Sequence, residues 1–231
     1  MKLIYEGHAC FQFITGGVNI LIDPYISGNP LCRKTPDDFT PDLILVTHGH
    51  GDHLGDTLAI ARGCGATVAG QVDLINALDC RGIDTVAFNL GGSFDFRGIR
   101  ITMVPAWHGN GIRTGEGNIY ARIACGYIVD DGESRVYHAG DTCLFGDMAS
   151  VISRYGLDCA LLPIGDFYTM GPDDALLAAD WLKAGTVIPM HYNTFAVIRQ
   201  DAADFAARVE QKTTSRAIVL NPGDDCLIGD K

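Results

Sequence analysis

Three histidines and an aspartate crowd into six residues, His48-Gly49-His50-Gly51-Asp52-His53, directly behind the apolar run Leu43-Ile44-Leu45-Val46. Residues two apart do not share a helix face. The two glycines also disfavour a helix and let the backbone turn sharply. The segment therefore reads as a loop that folds several side chains inward. The run before it reads as a strand buried on both faces, and the end of such a strand is where α/β proteins place their chemistry.

The rest of the chain supplies matching elements. Met1–Tyr5, Cys10–Ile14 and Val18–Ile22 read as strands, the last two joined by a Gly16-Gly17 hairpin turn. Thr57–Cys64 and Gln71–Leu78 suit helices, Val68-Ala69 and Thr85–Ala87 short strands, and 94–100 a hairpin leading into Ile101–Val104. A second round follows, with strands over Ala121–Val129 and Arg135–Tyr137 about the turn Asp130-Asp131-Gly132. It continues with a helix over Asp147–Tyr155, a strand over Cys159–Leu162 and a helix opened by Pro172. A strand over Val187–Met190, a helix over Ala202–Lys212 and a strand over Ala217–Leu220 complete it. The two rounds meet near Gly109–Gly117. The prediction is one domain over 1–231, with halves 1–112 and 113–231, made of two mixed β-sheets with helices outside.

Four apolar strands each end in a donor: Leu43–Val46 in the histidine cluster, Ile101–Val104 near His108, Arg135–Tyr137 near His138 and Asp141, and Val187–Met190 at His191. If these strands are parallel neighbours, they deliver their donors to one edge. Imidazole and carboxylate together bind zinc well and also suit manganese, nickel or iron. The set has room for two divalent ions. One would take His48, His50 and His108; the other would take Asp52, His53 and His191; Asp141 would bridge them. A hydroxide between two cations is a strong nucleophile at neutral pH.

Charge and cysteines bound the partners. Acids outnumber bases 28 to 17, a net charge of −11 that disfavours long nucleic acids and anionic membranes. No apolar run is long enough to span a membrane, and the first residues do not read as a signal peptide. Eight cysteines without a Cys-x-x-Cys pair read as small hydrophobes kept reduced in a cytoplasm.

These residues resemble the metallo-β-lactamase superfamily, over nearly the whole chain. Its signature stands here as His48-Gly49-His50-Gly51-Asp52-His53, followed by His108, the bridging Asp141 and His191. The resemblance implies a four-layer αββα sandwich of the α/β (α+β) class. It also implies that Asp23, in Leu21-Ile22-Asp23-Pro24, braces the histidine loop from behind. Gly7-His8-Ala9-Cys10-Phe11, Ala106-Trp107-His108, His138-Ala139-Gly140-Asp141-Thr142, Pro163-Ile164-Gly165-Asp166 and Thr169-Met170-Gly171-Pro172 look like one branch, the metal-dependent hydrolases close to the ascorbate-6-phosphate lactonases. Phe167 stands where such relatives tend to carry asparagine.

That branch implies places near the metals for His8, His138 and Asp166. His138 is read either as a proton donor or as a hydrogen-bonding support. His8 is read as structural or substrate-contacting, and Asp166 as a substrate contact or a loop tie. Strict alternation from Val136 puts His138 opposite Asp141, so both point inward only if the backbone turns at Ala139-Gly140. The implied activity is hydrolysis of an ester, lactone, amide or phosphodiester of a small molecule by a metal-bridging hydroxide, with Asp52, Asp141 and His138 carrying the reaction. The alternatives are a mononuclear iron dioxygenase of the same superfamily and a non-catalytic metal-binding regulator. A homo-oligomer is a family-level expectation.

Overall fold

The computed structural model describes residues 1–114, 117–120 and 123–229. The first half runs β1 (Lys2–Gly7), β2 (Cys10–Thr15), β3 (Val18–Ile22), β4 (Leu43–Val46), α1 (Gly51–Leu54), α2 (Thr57–Cys64), β5 (Thr67–Gln71), α3 (Val72–Ala77) and β6 (Thr85–Phe88). Next come β7 (Ser93–Phe96), β8 (Ile99–Ala106), β9 (Gly111–Thr114), β10 (Gly117–Tyr120), β11 (Ala124–Asp130) and β12 (Arg135–His138). The chain continues with α4 (Asp147–Ser150), β13 (Cys159–Pro163), α5 (Pro172–Leu182), β14 (Thr186–Met190), α6 (Ala202–Lys212), β15 (Arg216–Ala217) and β16 (Asp225–Leu227). One seven-stranded sheet has the order β16-β1-β2-β3-β4-β5-β6, and the other β15-β14-β13-β12-β11-β8-β7. Both are mixed, with helices outside, as in the metallo-β-lactamase fold.

Alternation along β4 shows how the layers are glued. Leu43 and Leu45 join the large core between the sheets, with Phe11, Phe13, Met103 and Tyr127. Ile44 and Val46 point the other way, into a smaller core with Ile60, Ala61, Leu74 and Ile75 of α2 and α3. The apolar run is thus buried on both faces because each face carries its own layer. No described helix is long and apolar enough to cross a membrane.

Several boundaries differ from the expectations. The sheets change at 89–92, not near Gly109–Gly117, because the β7–β8 hairpin pairs into the second sheet. The Gly109–Gly117 region begins a separate two-stranded arm, β9–β10. Its Ile112 is buried against the histidine motif, where a Cβ on Gly49 would come within 2.4 Å of Ile112 Cγ1. Of the strand expected over Ala121–Val129, residues 121 and 122 lie outside the described residues, and β11 starts at Ala124. The expected helix over Asp147–Tyr155 breaks at Val151, whose φ of −118° leaves the helical range, and resumes as a 3-10 turn over Ile152–Tyr155. The strand expected over Ala217–Leu220 stops at Ala217. Ile218 N–H still reaches Val187 O, but the following rung needs an N–H from Pro189, which has none. β16 was not anticipated; it closes the first sheet by pairing with β1.

Candidate metal centre

The donor-bearing strands are not a row of neighbours. β4 lies in the first sheet, while β8, β12 and β14 lie in the second with β11 and β13 between them. Their ends nonetheless meet at one edge of the sandwich. The motif itself is half loop and half helix. His50 is extended (φ −65°, ψ 149°) and caps the four-residue turn Gly51–Leu54, so Asp52 falls in a helical first turn and His53 in the last. The expectation of a loop throughout is corrected there. Gly51 opens the turn, and Asp52 sits where the helix dipole favours an acid.

Two sets of donors result. His48 Nε2 lies 3.0 Å from His50 Nδ1, and His108 Nε2 lies 3.3 Å from the same atom. Zinc–nitrogen bonds of roughly 2.0–2.1 Å place tetrahedral ligands about 3.3 Å apart, so this spacing is that of a ligand face. The second set gathers donor atoms of His8, Asp52, His53 and His191 within 4.8 Å of one another. Asp141 stands between the sets. Its Oδ2 is 3.1 Å from His191 Nε2, 3.5 Å from His108 Nε2 and 3.9 Å from His48 Nε2, and its Oδ1 is 3.2 Å from His53 Nε2.

The orphaned atoms fit a cation. His53 Nε2, His191 Nε2 and Asp141 Oδ1 are fully buried and meet nothing but one another's groups, in His–Asp141 approaches of 3.1–3.2 Å without good hydrogen-bond geometry, an arrangement a protein interior rarely tolerates unless something else satisfies it. The tautomers fit as well. Asp23 accepts from Thr47 N–H (2.8 Å), Thr47 Oγ1 (2.7 Å) and His53 Nδ1 (2.7 Å). Because the Thr47 hydroxyl donates to Asp23, its lone pair accepts from His48 Nδ1–H at 3.0 Å. One buried carboxylate thus leaves Nε2 of both His48 and His53 bare for a metal, which is how ligating histidines are usually oriented.

The charge states agree. Burial, reinforced by neighbouring imidazoles, holds His48 well below the usual histidine range. Burial also pulls on His53, but Asp141 and Asp23 outweigh it and hold that ring well above the range. Burial would raise Asp141; His191 and His53 instead keep it well below the usual carboxylate range. Burial lowers His8 to about 4 against the pull of Asp52.

The remaining predicted residues are placed as follows. Gly140 does turn the backbone, with φ +62° and room for no Cβ, since one would come 2.7 Å from Cys125 O. His138 and Asp141 therefore both point inward, yet His138 stays outside the donor sets. Its Nε2 donates to Ala9 O (2.8 Å) and its Nδ1 accepts from Gly140 N–H (3.2 Å), so both ring nitrogens serve the backbone. Asp166 is exposed and joins neither set. Its loop closes through main-chain bonds of Asp166 with Thr169 and Met170.

Other contributors carried no signal. Asn110 Oδ1 accepts from Gly49 N–H (2.8 Å) and so holds the motif to the arm. Tyr168 and Phe195 join His50, Asp52, His108 and Asp141 around a pocket of about 370 Å³.

Comparison with known proteins places the chain. A family model described as a beta-lactamase superfamily domain matches residues 18–192. A UPF0173 metal-dependent hydrolase of Pelotomaculum thermopropionicum is 46% identical over 97% of this chain and 98% of its own. The corresponding protein of Symbiobacterium thermophilum is also 46% identical, over 97% of this chain and 98% of its own. Among solved structures, Igni18, described as a novel metallo hydrolase from Ignicoccus hospitalis, superimposes with a TM-score of 0.87 at 38% identity, covering 97% of both chains. With its fold, its paired donor sets and these relatives in agreement, the chain belongs to the metallo-β-lactamase superfamily, among its UPF0173 metal-dependent hydrolases.

Proposed function

We propose that the chain hydrolyses an ester, lactone, amide or phosphodiester of a small molecule with two divalent ions, zinc foremost and manganese, nickel or iron as alternatives. The observation that carries this reading is the position of Asp141, whose carboxylate reaches His48 and His108 on one side and His53 and His191 on the other. The chemistry that such ions supply when bound is acidification of water and polarisation of an electrophilic oxygen.

The chain's residues supply the rest. Asp141, held ionised, fixes the spacing of the two sets. Asp52 is the one donor of its set that reaches the pocket, with a side chain 29% exposed. Its Oδ2 faces His8, and its Oδ1 is left to accept a bond from a substrate N–H or O–H. Tyr168 and Phe195 give the substrate apolar walls, and no lysine or arginine lines the pocket among the described residues. That lining leaves any negative charge of the substrate to be met by the two ions. His138, saturated by backbone, positions the Ala139-Gly140 turn that carries Asp141. The eight cysteines, all unpaired, suit a reducing cytoplasm.

The test is elemental analysis of protein purified without an affinity tag or chelator, followed by a panel of lactone, thioester and bis-nitrophenyl phosphate substrates with manganese, zinc and nickel. Two metal equivalents and turnover of the lactone or thioester are expected. A panel with no turnover under any metal would sink the hydrolytic reading. A single tightly held iron, with oxygen consumed, would replace it with the dioxygenase.

A further inference from the structure

His8 stands at a place where a histidine is costly. It occupies the tight turn between β1 and β2 with φ +60°, a left-handed conformation that glycine adopts most readily and other residues uncommonly. It is fully buried. Its carbonyl accepts the N–H of His191 (2.7 Å) and the hydroxyl of Tyr5 (3.2 Å), and its ring lies 3.9 Å from the His191 ring, centroid to centroid. The turn is therefore welded to the strand end that carries His191. The ring's two nitrogens are used differently. Nδ1 is 2.8 Å from Thr194 Oγ1, while Nε2 points at the donor cluster, 3.2 Å from Asp52 Oδ2. One nitrogen held by a neighbouring oxygen and the other aimed among donors is the usual posture of a ligating imidazole.

We propose that His8 is a protein ligand of the Asp52–His53–His191 position, so that this position holds its ion with His8, Asp52, His53, His191 and the shared Asp141. This rests on the binuclear reading above. The two positions then differ in kind. Three imidazoles and a shared carboxylate make a four-donor set that suits tetrahedral zinc. Five protein donors, two of them carboxylates, exceed what tetrahedral zinc uses and suit an ion that accepts octahedral coordination, such as manganese or iron. The chain is built for two different metals.

The test uses the full chain, demetallated and then titrated with zinc and manganese, with bound metal counted by elemental analysis and manganese binding followed by electron paramagnetic resonance. The wild type is expected to take one zinc at the three-imidazole set and one manganese at the other. In His8→Ala, zinc retention at the first set reports an intact fold, while manganese affinity falls at least about tenfold. His8→Gln separates ligation from support, since glutamine can still bond to Asp52 and Thr194 but is a poor ligand. The proposal requires His8→Gln to behave as His8→Ala. Wild-type manganese affinity in either variant, or loss of both metals in both variants, overturns it. A wild type that takes only one ion in total overturns the binuclear reading itself, a result distinct from any of these.

Discussion

On one side of Asp141 stand three imidazoles, two of which, His50 and His108, open onto the pocket. On the other side every donor except Asp52 is sealed from solvent. The open set is aimed largely by local means: two of its members are neighbours in the motif, and only His48 is tied to the Thr47–Asp23 relay. The sealed set is assembled from the β1–β2 turn, the motif's helical turn and the end of β14. Two of its members, His8 and His191, and the brace Asp23 lie in the left-handed region that is uncommon outside glycine, with φ of 60°, 55° and 49°. Strain of this kind costs about 1–3 kcal/mol per residue and persists where the surroundings over-determine it. The contrast is one of access: the sealed side is held by the fold, and the open side faces the pocket.

The largest effect should come from erasing the contrast. Asp141→Ala removes the group both sets share, so metal content falls from two equivalents towards zero and hydrolysis drops on the order of a thousandfold or more. Elemental analysis beside initial rates checks this; retention of both ions would mean that the sets do not depend on the carboxylate between them.

Asp23→Asn strikes the sealed side directly and the open side only through Thr47. It removes the negative charge and one of the two oxygens that accept from Thr47 and His53, and the affinity of that set should fall about 10- to 100-fold while the three-imidazole set changes only a few-fold. Equal losses at both sets in a metal titration would show that they form one unit.

Proton release sharpens the same distinction. In the metal-free centre burial disfavours a charged His53, but Asp141 and Asp23 prevail and the ring carries a proton at neutral pH. Filling the sealed set must expel that proton, so its affinity should rise with pH, about tenfold per unit for one proton, until the raised pKa is passed. His48, held low by burial, is already neutral and has none to give. Calorimetry in two buffers of different ionisation enthalpy should find the release on one set and not the other; the same release from both would contradict the assigned charge states.

The smallest effect belongs to the relay between the sides. Thr47→Val removes one hydroxyl that serves both Asp23 and His48, and denaturant unfolding should show a loss of about 1–3 kcal/mol. Metal affinities should move only a few-fold.

Much of this was legible before any coordinates. A motif of six consecutive residues declares its chemistry locally, and strands that end in His108, Asp141 and His191 are visible as apolar runs meeting a donor. Asp23 was legible only through family resemblance. Thr194, Tyr168, Phe195 and Asn110 were not legible, because each acts across a fold-dependent approach: Asn110 reaches Gly49, and Thr194 reaches His8, only once distant segments have packed. Asp166 and His138 sit in segments that mark the branch, yet the structure gives the one to its own loop and the other to Ala9 and Gly140. The helical turn at Gly51–Leu54 escaped a reading based on glycine content, since four residues held between a strand end and α2 need no intrinsic propensity.

The pairing of β1 with β16 has a consequence in time. β1 delivers His8, and its outer edge is covered only by a strand from the far end of the sequence, with Met1 bonded to Ile228 O at 2.9 Å. During synthesis β1 emerges long before β16, and the edge of its sheet stays open until that distant strand arrives. The half of the centre that includes His8 and His191 therefore matures only once β16 has been made, and a nascent chain offers its histidines to passing metals well before it can hold them in place.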